Sequence, residues 1–190
     1  MKATARILRQ ESFDDITVRR IVEEAETSIG SFYARFRDKD ALLSILYAQS
    51  EEQLESRLLR LSKRVGRAST LDELTDLTAD HFVALYGENP NLSRALFEYA
   101  TRDPDSVGSK ALSAQRLQQY GFLIDALASF KNRITHGDPT RAVELGLYFL
   151  TVACRNRLCY PFGPQSRTLK ISKTELKSEL SRLLLGYLTA

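Results

Sequence analysis

Between Thr17 and Lys39 the chain gathers hydroxyls, guanidinium groups, a phenol and an ammonium: Thr17, Arg19, Ser28, Ser31, Tyr33, Arg35, Arg37 and Lys39. Such groups donate hydrogen bonds or carry positive charge, which is what phosphate oxygens and base edges require. Nothing comparable is assembled for catalysis. The acid pairs Glu23-Glu24 and Glu51-Glu52 are sequence neighbours, and on a helix such neighbours point apart. His81 and His136 are the only histidines, and Cys154 and Cys159 lie five apart in a helical pattern, unlike a CxxC redox or zinc pair. No glycine-rich phosphate loop, nucleophile elbow or zinc spacing occurs. No metal and no cofactor is therefore expected, and the two cysteines read as buried free thiols.

The elements that must position those groups follow from the same stretch. Thr17 is a good N-cap, and Val18, Ile21, Val22 and Ala25 recur behind it at helical spacing. Glu26-Thr27-Ser28 breaks the pattern, and Ser28 caps a new helix carrying Ile29, Phe32 and Phe36. Asp38 caps the next helix, whose apolar face holds Leu42, Leu43 and Leu46. Two short helices joined by a tight turn fit a pair packed in any bundle. They also fit a helix-turn-helix, in which the second helix enters the major groove. In that arrangement the recognition helix runs from about Ser28 to Phe36. Gly30 lets the backbone approach DNA, Ser31 bonds a base or a phosphate, and an outward Ile29 offers apolar contact, for instance to a thymine methyl. Thr17 donates to a phosphate, Arg19 reaches a guanine edge or the backbone, and Arg35 and Arg37 add charge nearby. Phe32 and Phe36 pack inward.

The residue order Thr17-Val18, Ile21, Ala25, Ser28, Gly30, Ser31, Phe32, Tyr33, Phe36, Lys39 and Leu42 resembles the N-terminal domain of the tetracycline-repressor (TetR/AcrR) family. Upstream, Ile7, Leu8 and Phe13 are similar to the end of that family's first helix and the aromatic after it. The resemblance implies a DNA-binding regulator in which Tyr33 and Lys39 clamp the phosphate backbone without reading sequence. Three positions depart from the family's pattern. Glu26 replaces the usual turn glycine, Arg35 a histidine, and Ile29 a residue that is commonly polar or basic. The chain also begins inside the first helix of that pattern, so a further upstream segment or a reduced first helix is expected.

Charge supports this only through its placement. The formal net charge is +3, but residues 1–50 carry eight Lys/Arg against eight Asp/Glu. Binding to phosphates then depends on where the cations sit and on doubling by a second subunit. No stretch approaches the ~18 apolar residues that cross a bilayer, and no secretory signal is apparent. A cytoplasmic protein is expected.

Beyond Leu43 helical periodicity continues between short breakers, without strand alternation or internal repeats, so the fold class is all-α. A fourth helix spans Lys39 to about Arg64, with Ile45, Leu46, Leu54, Leu58 and Leu61 on its buried stripe. Thr70 and Glu73 form a capping box, in which each satisfies the other's backbone donor, and the helix it opens ends near Gly87. Asn89-Pro90 opens another helix, and a further one ends near Phe130 with Leu112 and Leu117 on its apolar face. Asp138-Pro139 opens a helix to about Cys159, and Ser172 with Glu175 forms the last capping box. The expected division is a three-helix DNA-binding head over residues 1–44 and a helical effector-binding and dimerisation bundle over 45–190.

The final two helices are apolar over much of their circumference, so something must cover them. The resemblance implies the same two helices of a second subunit, giving a homodimer and a palindromic operator. His81, Phe82, Tyr86, Phe97, Tyr99, Tyr120, Phe122 and Tyr148 are candidates to line a cavity for a mid-sized apolar or aromatic effector, and equally for ordinary core aromatics. The reading is a homodimeric repressor of double-stranded DNA released by a small molecule. The alternative is a helical binding module or enzyme without DNA affinity.

Overall fold

The computed structural model describes residues 2–102, 120–161, 163 and 168–190. Among them the chain is helical and contains no strand. The elements are α1 (Lys2–Ile7), α2 (Val18–Glu24), α3 (Ile29–Tyr33), α4 (Ala41–Val65), α5 (Leu71–Gly87), α6 (Pro90–Thr101), α7 (Gly121–Ala128), α8 (Pro139–Cys159) and α9 (Lys173–Thr189). The expected Leu112 and Leu117 lie outside the described residues.

Side-chain caps start these helices where the sequence predicts. Thr17, Ser28, Thr70, Asn89, Asp138 and Ser172 each accept a hydrogen bond from the N–H three residues on, satisfying a donor that the helix cannot. Pro90 and Pro139 follow two of these caps, at positions where the missing N–H costs nothing. The box at Thr70 differs in detail. Glu73 Oε2 accepts from Ser69 N at 2.7 Å, so the reciprocal bond falls one residue before the cap.

The described residues of 1–55 and 89–110 form one compact unit, and those of 56–88 and 111–190 form a second. α4 is continuous through the division. The first unit is built on Ile7, Leu8, Phe13, Ile16, Ile21, Val22, Phe32, Leu42, Leu43 and Leu46, with Ala95 and Leu96 from α6. Ile45, expected on the buried stripe of α4, is instead 38% exposed. It stands one position beside Leu46, about 100° away around the helix, so only one of the two faces the core.

In the second unit α5, α8 and α9 pack on one another around Leu71, Leu74, Phe82, Val143, Leu150, Leu184 and Leu188. Gly146 lets α8 approach α9 closely, since a Cβ there would stand 2.6 Å from Leu184 Cδ1. Arg57 and Glu88 form a paired-donor ion pair, with Arg57 Nη1 donating to Glu88 Oε1 at 2.8 Å. Lys173 donates to the carbonyl of Gly87 at 2.5 Å, placing positive charge on the C-terminal end of α5. Cys154 and Cys159 are both buried and neither is in a disulfide, and burial pushes the Cys154 thiol up to about 12. A thiol held protonated in this way is unreactive.

Candidate nucleic-acid interface

α2 and α3 present the predicted set on one short structure. Thr17 Oγ1 accepts from Arg20 N at 3.1 Å, and Ser28 Oγ accepts from Ser31 N at 3.0 Å. Ser28 Oγ also donates to Ser31 Oγ at 3.0 Å, so the two hydroxyls sit together at the start of α3. The regular helix stops at Tyr33, short of the expected Phe36, but Phe36 N still donates to Phe32 O at 2.9 Å. Phe32 is buried, with its ring 5.3 Å from Tyr33 and 5.1 Å from Phe36. It anchors α3 inward and leaves the opposite side of the helix to solvent.

That outer side carries the predicted contacts. Ile29 is 49% and Tyr33 is 55% exposed, and Ser28, Gly30, Ser31 and Arg35 are exposed as well. Arg35 makes no side-chain hydrogen bond or ion pair among the described residues, whereas Arg37 bonds Asp38 at 2.9 Å and Arg19 bonds Glu23 at 2.9 Å. Surface pairs like these contribute little stability and exchange easily for a phosphate. Lys39 behaves differently. Expected to clamp the duplex, it turns inward and donates to the carbonyls of Phe13, Asp14 and Ile16.

The neutral charge balance of this region resolves into pairs. Glu24 holds Arg6 and Arg20, Glu11 also meets Arg20, and Asp40 meets Arg102 at 2.6 Å. Bonding to Arg20 keeps the Glu24 carboxyl below its ordinary 4.5, and the Ala41 N–H keeps Asp38 below 3.8. Carboxylates depressed in the folded state stabilise it above their unfolded values, and that contribution disappears as pH falls through the folded ones. Glu24→Gln should therefore melt below the wild type at pH 7. The difference should close as pH drops below about 4.5, checked by paired thermal melts across pH.

The turn between α2 and α3 carries the one left-handed non-glycine residue described, Glu26 at φ +50°. The sequence marks this position as one that prefers glycine, and the backbone geometry is why. A side chain there costs about 1 kcal/mol. Glu26→Gly should stabilise the chain by up to ~1 kcal/mol, read as a raised denaturation midpoint. A lowered midpoint would contradict the strain argument.

The eight candidate pocket residues are divided between the two units. His81, Phe82 and Tyr120 come together: the Phe82 and Tyr120 rings stack at 5.3 Å, and His81 Nε2 lies 3.4 Å from the Tyr120 hydroxyl. Tyr86 and Phe122 are half-buried in the same unit. Phe97 and Tyr99 belong to the first unit, where Tyr99 meets Tyr47 at 6.3 Å. Tyr148 is 62% exposed on α8, against Phe149. Among the described residues no His/Cys/Asp/Glu group is placed to hold a metal, and no helix is long and apolar enough to cross a membrane.

Comparison with known proteins agrees with this geometry. Residues 1–45 match the family model described as bacterial regulatory proteins, tetR family. A Mesorhizobium loti MAFF303099 protein described as a TetR-family transcriptional regulator has a similar structure, with TM-score 0.63 and 19% identity over 98% of this chain and 92% of that one. The transcriptional regulator FadR from Bacillus subtilis, in complex with stearoyl-CoA, gives 0.61 and 16% identity, covering 100% and 95%. A Clostridium perfringens protein described as a fatty acid metabolism regulator gives 0.59 and 17% identity, covering 100% and 97%. Residues 1–45 thus carry the N-terminal DNA-binding domain of the tetR family, and the chain has the fold of solved TetR-family regulators.

Proposed function

We propose that this chain is a homodimeric repressor that holds a palindromic operator and releases it on binding a small molecule. The exposed outer side of α3, backed by the buried Phe32, carries the reading. Residues 1–44 act as the DNA-binding head and 45–190 as the effector-binding and dimerisation body. Ser31, Arg19 and Ile29 meet base edges, while Thr17, Ser28, Tyr33 and Arg35 meet the backbone and Gly30 lets the helix approach.

Dimerisation through α8 and α9 is supported by what those helices leave uncovered. Tyr148, Phe149 and Leu183 are exposed, and Phe149 packs edge-on against Tyr187 at 5.7 Å. Exposed large apolar groups grouped in this way mark an association surface. Two heads brought together reach successive major grooves. The His81–Phe82–Tyr120 group suits an apolar or aromatic effector with one polar handle. The stearoyl-CoA bound by the Bacillus subtilis regulator makes long-chain acyl-CoA a first probe. The effector must prefer the DNA-incompetent state, and the continuous α4 is the path for that preference. Such a regulator works in the cytoplasm.

The test is a genome-fragment binding selection with the purified protein. A recovered palindrome is the expected result, and its neighbouring genes would indicate the effector. No enrichment from a folded dimer would overturn the reading.

A further inference from the structure

Lys39 lies between the α4 cap Asp38 and the first turn of α4, and its side chain crosses to a distant turn of the first unit. Its Nζ donates to the carbonyl oxygens of Phe13 at 2.8 Å, Ile16 at 3.0 Å and Asp14 at 3.3 Å. An ammonium has three donors, so each is engaged. The same nitrogen is 4.6 Å from the Phe13 ring centroid, a cation–π contact.

All three oxygens belong to one turn, closed by Asp15 N to Ser12 O at 3.1 Å and by Ile16 N to Phe13 O at 3.3 Å. Phe13 and Ile16 are buried, so the turn is held by two apolar anchors and one cation. Carbonyl dipoles converging on part-buried space repel one another unless a cation sits among them. Ile16 is followed directly by Thr17, the N-cap of α2, whose Oγ1 holds Arg20 N at 3.1 Å.

We infer that Lys39 is a positioning residue. It fixes the 13–16 turn and thereby the Thr17 hydroxyl and the first turn of α2, and it does not itself clamp a phosphate. The DNA arm of its test rests on the proposed operator binding, whereas the free-chain arm does not.

In the full-length chain without DNA, the Lys39 ammonium should give a slowly exchanging nitrogen-detected signal. Lys39→Met should remove that signal and speed exchange of the Arg20 amide about tenfold, since its cap is no longer held. A freely exchanging ammonium, or an Arg20 amide unmoved by the substitution, would overturn the inference. With the selected palindrome, Lys39→Met should weaken binding about tenfold at every salt concentration. The slope of log affinity against log salt should stay unchanged, whereas a lost phosphate contact lowers it by about 0.9. Lys39→Arg should rescue little, because a planar fork cannot converge on three carbonyls, although it would preserve a phosphate contact. A reduced slope, or near wild-type binding by Lys39→Arg, would show direct contact instead. Failure of the wild type to bind any duplex would sink the operator reading and leave the free-chain arm to decide Lys39.

Discussion

Phe32→Ala should unfold the N-terminal unit and abolish binding to every duplex, specific or not. Phe32 is 4% exposed and is the inward anchor of a five-residue helix. Removing a buried phenyl group costs about 3–5 kcal/mol, against the roughly 5–15 kcal/mol that holds a whole domain. A short helix has no independent stability to fall back on. The outer face of α3 depends on that ring, so the contacts at Ile29, Ser31 and Tyr33 would disperse together. Hydrogen exchange should show α1–α3 losing protection while the core of α5, α8 and α9 keeps it. Operator binding that survives Phe32→Ala would mean that α3 is held by something other than this core.

Leu183→Glu should leave the fold intact and separate the subunits. Leu183 is 52% exposed on α9, within the α8–α9 surface that also exposes Tyr148 and Phe149. Substitution at such a position normally changes the stability of the chain itself by no more than ~0.5 kcal/mol. In a two-fold interface, however, each change occurs twice, and a buried unpaired carboxylate is costly. Sedimentation should show a monomer at concentrations where the wild type is a dimer. Operator affinity should fall by about 10²–10⁴-fold, the advantage that linkage gives a second head. A Leu183→Glu dimer with undiminished affinity would place the interface elsewhere.

Much of the helical framework was legible because caps are local. Thr17, Ser28, Thr70, Asn89, Asp138 and Ser172 each mark a helix start through one side chain and one nearby N–H. The preference of position 26 for glycine was legible for the same reason, and the backbone there has φ +50°. What periodicity could not give was the direction of a side chain at the edge of an apolar stripe. Ile45 and Leu46 look alike in sequence, and only the packing of the first unit puts one in and the other out. The inward course of Lys39 was not legible for a longer-range reason, since its partners Phe13, Asp14 and Ile16 lie 23 to 26 residues away. No local signal distinguishes a lysine that meets distant carbonyls from one that waits for phosphate. Sequence periodicity likewise could not say which aromatics share a unit: Phe97 and Tyr99 fall in the first, and His81, Phe82 and Tyr120 in the second.

The central claim is that two copies of the exposed α3 face grip one palindrome. Fluorescence anisotropy of the selected palindrome, with a scrambled duplex beside it, across a salt series tests this most directly. Two chains per palindrome, steep weakening with salt, and an affinity for the palindrome at least ~10³-fold above the scrambled duplex are expected. Equal affinity for both duplexes, or one chain per site, would contradict that claim.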